Sequence, residues 1–184
     1  DSDSSAPKVE IPEDCTPVSG TICTWAGTPG VAAFDGGGNH RRLSYFYWPM
    51  DVEFSPYGNP IITDWNNHKV RLVEDDGTLT TIIGTNFIGD GDPEQADLVE
   101  PGVPGTTVNL NHPTDAIYYP NGILLSAGWH TFKFRTWDPA TDLVHVLWGT
   151  GPGFSGENGE DATGKQDSFL KSVVMDSEEN LYFI

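Results

Sequence analysis

An all-β fold built from repeated antiparallel units is the prediction from this 184-residue sequence, and three observations carry it. A motif returns in register: Asp64-Trp65-Asn66-Asn67-His68-Lys69-Val70-Arg71 is echoed 64 positions on by Gly128-Trp129-His130-Thr131-Phe132-Lys133-Phe134-Arg135, and Pro49, Asp51 and Gly58 recur at the same offset as Pro113, Asp115 and Gly122. Similarity at a fixed long period means an array of supersecondary units. Apolar runs end in Gly-Thr at Gly27, Gly84 and Gly149, as strands stopped by a turn would. Between them lie short runs punctuated by Gly, Pro, Asn and Asp, with no competing helical period.

Taken in order, residues 1–20 read as an extended polar leader. Thr21 to Thr28 alternates and predicts a lone strand. Four strands follow in each complete unit: Met50–Phe54, Pro60–Asp64, Lys69–Glu74 and Leu79–Ile83, then Thr114–Tyr119, Ile123–Ala127, Phe132–Trp137 and Leu143–Trp148. Ser55-Pro56-Tyr57-Gly58, Asp75-Asp76-Gly77 and Pro120-Asn121-Gly122 supply the backbone angles that hairpins require. A third unit starts near Leu170, with Val173–Asp176 and Glu179–Ile184 as its first strands. Three glycine-rich acidic loops, around Asp35, Asp90 and Glu157, occupy equivalent places. An insertion spanning Glu94 to Thr107 makes the second unit longer, and loops absorb such insertions cheaply.

Repeated four-stranded antiparallel units with tight hairpins describe the blades of a β-propeller. The expected organisation is two complete blades and a partial third, at about 21–84, 85–149 and 150–184, with the missing blades supplied by a longer chain or another polypeptide. An open propeller would otherwise leave strand edges and half a core exposed.

Several stretches carry a more specific resemblance: Gly58-Asn59-Pro60-Ile61-Ile62-Thr63-Asp64, Asn67-His68-Lys69-Val70, Leu110-Asn111-His112-Pro113-Thr114-Asp115 and Gly153-Phe154-Ser155-Gly156-Glu157-Asn158-Gly159 resemble the NHL repeat, of an extracytoplasmic, bacterial type. The resemblance covers about residues 21–184 and implies a ring that is usually six-bladed. It implies no single function, because the family includes binding scaffolds, ubiquitin-ligase substrate modules and a few enzymes. Gly128 stands where the first copy has Asp64, and Thr131-Phe132 replace Asn67-His68. A role needing that acid or imidazole is therefore not repeated, and His68 reads as structural.

Composition narrows the function. Nine Lys and Arg against 27 Asp and Glu give a net charge of -18, which repels phosphate backbones and argues against a nucleic-acid partner. No transmembrane segment is evident. Cys15 and Cys23, with Pro17 and Gly20 between them, fit a small disulfide loop and hence an oxidising, extracytoplasmic compartment; two unpaired half-buried thiols are the alternative.

Propeller topology gathers the interblade loops and the turns between second and third strands at one end, and that elaborated face is the candidate binding surface. Tyr47, Trp48, Trp65, Asn66, His112, Trp129 and His130 belong to it, with Tyr45 and Phe46 as further aromatic anchors. Trp65 and Trp129 either stand as exposed anchors or wedge against neighbouring blades. His40 falls on or beside the same face. A zinc or acid–base site would need these imidazoles to converge; otherwise each is a turn or packing residue. His145 lies in an outer strand.

Oxygen donors suggest calcium as a candidate cofactor. Asp90 and Asp92, with Glu94 and Asp97 beyond them, sit in a glycine loop, although EF-hand spacing is absent. Asp51 and Asp115 open innermost strands and could hold a cation on the propeller axis; starting a strand by turn bonding is the plainer role for such residues, and the third unit has Ser172 there. No catalytic residue is assigned, since no nucleophile elbow or P-loop occurs. The expected function is a secreted or surface-associated module that binds or assembles a protein, peptide or glycan. A metal-dependent propeller lyase or hydrolase, and a structural subunit of a larger surface assembly, are the alternatives.

Overall fold

The computed structural model of the protein describes residue 16, residues 18–149 and residues 170–184. Most of the expected leader, Cys15 and the third acidic loop lie outside the described residues. No described cysteine is a free thiol.

Strands β1 (Pro49–Phe54), β2 (Pro60–Asp64), β3 (Lys69–Val73) and β4 (Leu79–Ile83) pair in sequence order as one antiparallel sheet. Then come β5 (Val103–Pro104), β6 (Pro113–Tyr118), β7 (Leu124–Gly128), β8 (Lys133–Asp138) and β9 (Leu143–Trp148), which form a second sheet in the order β5-β9-β8-β7-β6. A third, two-stranded piece joins β10 (Val173–Met175) to β11 (Leu181–Phe183). Every strand expected in the two complete blades forms, with ends that differ by at most one residue. Bulges fall at equivalent places too, between Pro49 and Asp51 and between Pro113 and Asp115, so the repeat extends to backbone irregularities.

Two corrections concern the outer edges. Thr21 to Gly27 forms no strand. Instead residues 38–41 run along the outer edge of β4, where Leu79 N–H donates to Asn39 C=O at 2.8 Å and Arg41 N–H donates to Gly77 C=O at 2.7 Å. The second correction is β5: the insertion does not merely loop out but pairs Val103 with Val144 on the outer edge of β9. Both complete blades therefore have a covered outer edge, which removes a template for aggregation.

The sheets pack face to face. Ile61, Val70 and Ile83 of the first blade meet Ala116, Leu124, Trp137 and Val144 of the second. The far face of the second blade buries Leu125, Ala127 and Phe134 against Leu170 and Val173. At the other end of the stack, Ala26 and Phe46 cover Ile62, Val73 and Leu79. Phe46 is thus a packing residue and not the exposed anchor expected of it. Val52 and Phe54 on that same side are 52% and 59% exposed, whereas Ala116, which repeats Val52, is fully buried.

Carboxylates stitch the innermost strands together. Asp51 Oδ2 accepts from Ala116 N–H at 3.3 Å, and Asp115 Oδ2 accepts from Val173 N–H and from the Ser172 hydroxyl, each at 2.7 Å. Each acid thus reaches the opening of the next blade's inner strand. Burial, then the charge of Asp115, raises the Asp51 carboxyl to about 6. A raised carboxyl contributes stability that is complete below its unfolded value, near 4, and lost as pH rises through about 6. Asp51→Asn keeps an oxygen acceptor and removes the charge. Urea unfolding should find this variant more stable than wild type at pH 7.5 and nearly equal to it at pH 4; lower stability at pH 7.5 would contradict the assignment.

Candidate functional site

Buried arginines build the elaborated face. In the first blade Arg71 is fully buried. Its guanidinium donates to Asp64 at 3.3 Å, to Asp35 of the acidic loop at 3.0 Å and to the Tyr45 carbonyl at 3.0 Å. Asp64 in turn accepts from the Tyr47 amide at 2.8 Å and from Asn67 Nδ2 at 2.8 Å. A charge is tolerated inside a blade because it is paired and hydrogen-bonded on several sides. The effect is to fasten the 45–47 segment and the 65–67 turn to each other.

The second blade repeats this with different residues. Arg135 donates to Asp90 at 3.0 Å, to Asp97 at 3.2 Å and to the Thr131 hydroxyl at 3.1 Å. Gly128, the counterpart of Asp64, leaves the space that the Thr131 hydroxyl fills; a Cβ there would run into that oxygen. Sequence comparison correctly located the lost acid. It missed the replacement, Asp97, because that residue comes from the insertion and has no partner in the repeat.

Above these anchors the predicted face residues converge. Asn66 N–H donates to Tyr47 C=O at 2.9 Å, and the repeat-equivalent His130 N–H donates to Asn111 C=O at 3.3 Å. The ring of Tyr47 lies 6.0 Å from Trp48, Trp48 lies 5.7 Å from Trp65, and Trp65 lies 5.6 Å from Trp129. His112 sits 4.0 Å from Trp65 and 4.6 Å from His130, centroid to centroid. All seven residues expected on this face therefore form one contiguous group across the seam between the blades. Trp65 and Trp129 act partly as wedges, being half-buried, while Trp48 is 64% exposed.

Polar atoms order the group. His112 Nδ1 and His130 Nδ1 are 2.8 Å apart, and His112 Nε2 is 3.2 Å from Asn66 Oδ1. The His112 amide donates to His68 Nδ1 at 3.1 Å, so His68 is held with its Nδ1 unprotonated and serves the structure. Burial first, then the neighbouring His68 and His130, pushes His112 down to about 4. The imidazole is neutral at pH 7.

Backbone strain marks the same place. Trp48 and His112, which are repeat equivalents, have φ of 55° and 58°. Bulky residues in the left-handed region cost on the order of 1 kcal/mol each and persist only where the surroundings hold them. The device puts a ring at the same station of each complete blade.

Other expected site residues lie elsewhere. His40 bridges to Thr78 and packs beneath Gly77, at the opposite end of the blade; the edge-covering segment carries it there, and it is not part of the face. His145 is 3.5 Å from Glu100 on the outer edge. Asp90 faces cations, Lys133 Nζ at 2.6 Å and Arg135. Asp92 accepts from the amides of Glu94 and Ala96 in its own loop. Asp51 and Asp115 are engaged by backbone amides. Among the described residues no group of three or more His, Cys, Asp or Glu side chains is arranged to hold a metal ion.

Comparisons with known proteins bear on the fold. No protein-family model matches the sequence, and no curated protein does. Among solved structures, a Bacteroides thetaiotaomicron protein of unknown function aligns with a TM-score of 0.56 at 14% identity, over 72% of this chain and 31% of its own. A protein from the same organism described as an auxiliary nutrient binding protein aligns with a TM-score of 0.52 at 16% identity, over 72% and 33%. These neighbours are β-propellers. The chain has their fold and spans about a third of their length. Among the described residues no helix is long and apolar enough to cross a membrane.

The His112 environment makes a pH prediction. An imidazole held below its unfolded value contributes stability that is present above about 6.5 and lost as pH falls through about 4. This runs opposite to Asp51 in the same window. In chemical denaturation, His112→Gln should therefore lose less stability than wild type between pH 6.5 and 4.5; an unchanged slope would remove His112 as the titrating group.

Proposed function

We propose that this chain is part of an extracytoplasmic, NHL-type β-propeller that works as a binding or assembly module, and that it holds a protein, peptide or glycan on the row formed by Tyr47, Trp48, Trp65, Asn66, His112, Trp129 and His130. The observation that carries the reading is the convergence of these rings from two blades, with Trp48 exposed in a strained backbone conformation. Exposed aromatic groups framed by polar ones are the common make-up of recognition surfaces.

The extracytoplasmic setting is supported by the proposed Cys15–Cys23 loop. Further blades, from the rest of a longer chain or from another polypeptide, are proposed to cover the exposed side of β1. Repeat equivalence supports this, because Ala116 is buried by a neighbouring blade and its counterpart Val52 is not.

Replacing Trp48 with glycine separates binding from folding. Glycine adopts positive φ without penalty, so Trp48→Gly should unfold within about 1 kcal/mol of wild type. Capture of ligand from a panel of glycans and peptides should fall at least tenfold, about 1.4 kcal/mol. Unchanged capture by a variant of wild-type stability would reject the row as the binding site.

A further inference from the structure

The two blades treat one buried cation differently. Lys69 and Lys133 are repeat equivalents at the start of β3 and β8, and both are nearly buried. Lys133 Nζ meets the Asp90 carboxylate at 2.6 Å. The Asp90 counterpart in the first blade is Asp35, which pairs with Arg71 through Oδ1 and makes no ion pair with Lys69. Among the described residues Lys69 has no carboxylate at ion-pair distance. Its ammonium donates instead to the Thr85 carbonyl and, at 3.2 Å, to Asn86 Oδ1, and lies 4.6 Å from the Phe34 ring. These are neutral partners, and they leave the full positive charge inside the protein, where charge is costly unless it is paired.

Lys69 also opens onto space. A cleft of about 350 Å³ is lined by Lys69 together with Phe34, Thr81, Thr85, Asn86 and Thr106. The hydroxyls of Thr81 and Thr106 accept or donate no side-chain hydrogen bond within this lining. Gly84 allows the loop to pass close over the strand: its φ is 118°, and a Cβ there would strike the His68 carbonyl. The cleft lies between the β4-to-β5 interblade loop and the start of β3, at the same end of the blades as the aromatic row.

We propose that this cleft is a binding site for a small oxyanion, a carboxylate or phosphate group, which supplies to Lys69 the negative charge that Asp90 supplies to Lys133. One ammonium suits a group of one or two negative charges, and the threonine hydroxyls suit its remaining oxygen atoms. The net charge of -18 disfavours anions at long range, and the cleft is open to solvent, so binding rests on direct contact with one cation at close quarters, where screening by salt is least. Burial, then Arg71, lowers the Lys69 ammonium to about 8, in the direction expected of a buried cation short of counter-charge. The site stands whether or not the aromatic row binds a ligand.

The test is NMR of the intact chain labelled at lysine Cε and Nζ, following the Lys69 titration at constant ionic strength in chloride, then with acetate or inorganic phosphate. The midpoint should rise from about 8 toward the ordinary lysine value with at least one anion; acetate alone identifies a carboxylate site and phosphate alone a phosphate site. Asn86→Asp places a carboxylate beside the ammonium and mimics the Lys133–Asp90 pair. Its Lys69 midpoint should already be high, and neither anion should move it. The proposal is overturned if neither anion moves Lys69 in the wild type, or if the anions move it equally in wild type and Asn86→Asp.

Discussion

One buried guanidinium per blade is the constraint on which the rest of this structure depends. Arg71 and Arg135 are each almost wholly enclosed, and a buried guanidinium must find acceptors on most of its donors. Arg71 recruits the Asp35 loop, Asp64 at the end of β2 and the Tyr45 carbonyl before β1; Arg135 recruits the Asp90 loop, Asp97 of the insertion and Thr131 in the turn before β8. Satisfying one side chain therefore ties three separate segments together at one end of the blade. The aromatic row stands on those segments, so its geometry is inherited from the ion pairs beneath it.

The comparison of the two blades separates what the fold requires from what it tolerates. The arginine is kept, and so is the acid from the glycine loop, Asp35 or Asp90. Asp64 is not kept: Thr131 takes its space and Asp97 from the insertion takes its charge. The insertion also contributes β5 to the blade's outer edge. A stretch that reads as a spacer in the sequence thus supplies both a core counter-ion and a strand. The lysine two positions before each arginine shows the reverse case, in which Lys133 is paired with a carboxylate and Lys69 is not.

Most of the strand framework was legible because it rests on local signals. Turn residues such as Asp75-Asp76-Gly77 and Pro120-Asn121-Gly122, and alternation between them, locate strands without knowledge of their neighbours. The aromatic row was legible for a different reason: propeller topology sends Trp65 and Trp129 to the same end, so a 64-residue offset becomes spatial adjacency. What failed was information that lies between units. Thr21 to Gly27 alternates like a strand but forms none, and residues 38–41, which carry no strand signal, line the edge of β4. His40 followed that segment to the end of the blade opposite the aromatic row. Asp90 carries no outward sign in the sequence that Lys133 and Arg135 will claim it.

Arg71, through Asp64, holds the face in place. Amide hydrogen exchange in Arg71→Lys tests it most directly, because lysine keeps the charge but loses the branched set of donors. Local opening should then appear where the anchors were: the Tyr47 amide, which donates to Asp64, and the Asn66 amide, which donates to Tyr47 C=O, should lose protection while the amides pairing β2 with β3 keep theirs. Equal loss across the whole blade, or unchanged protection at Tyr47 and Asn66, would contradict it.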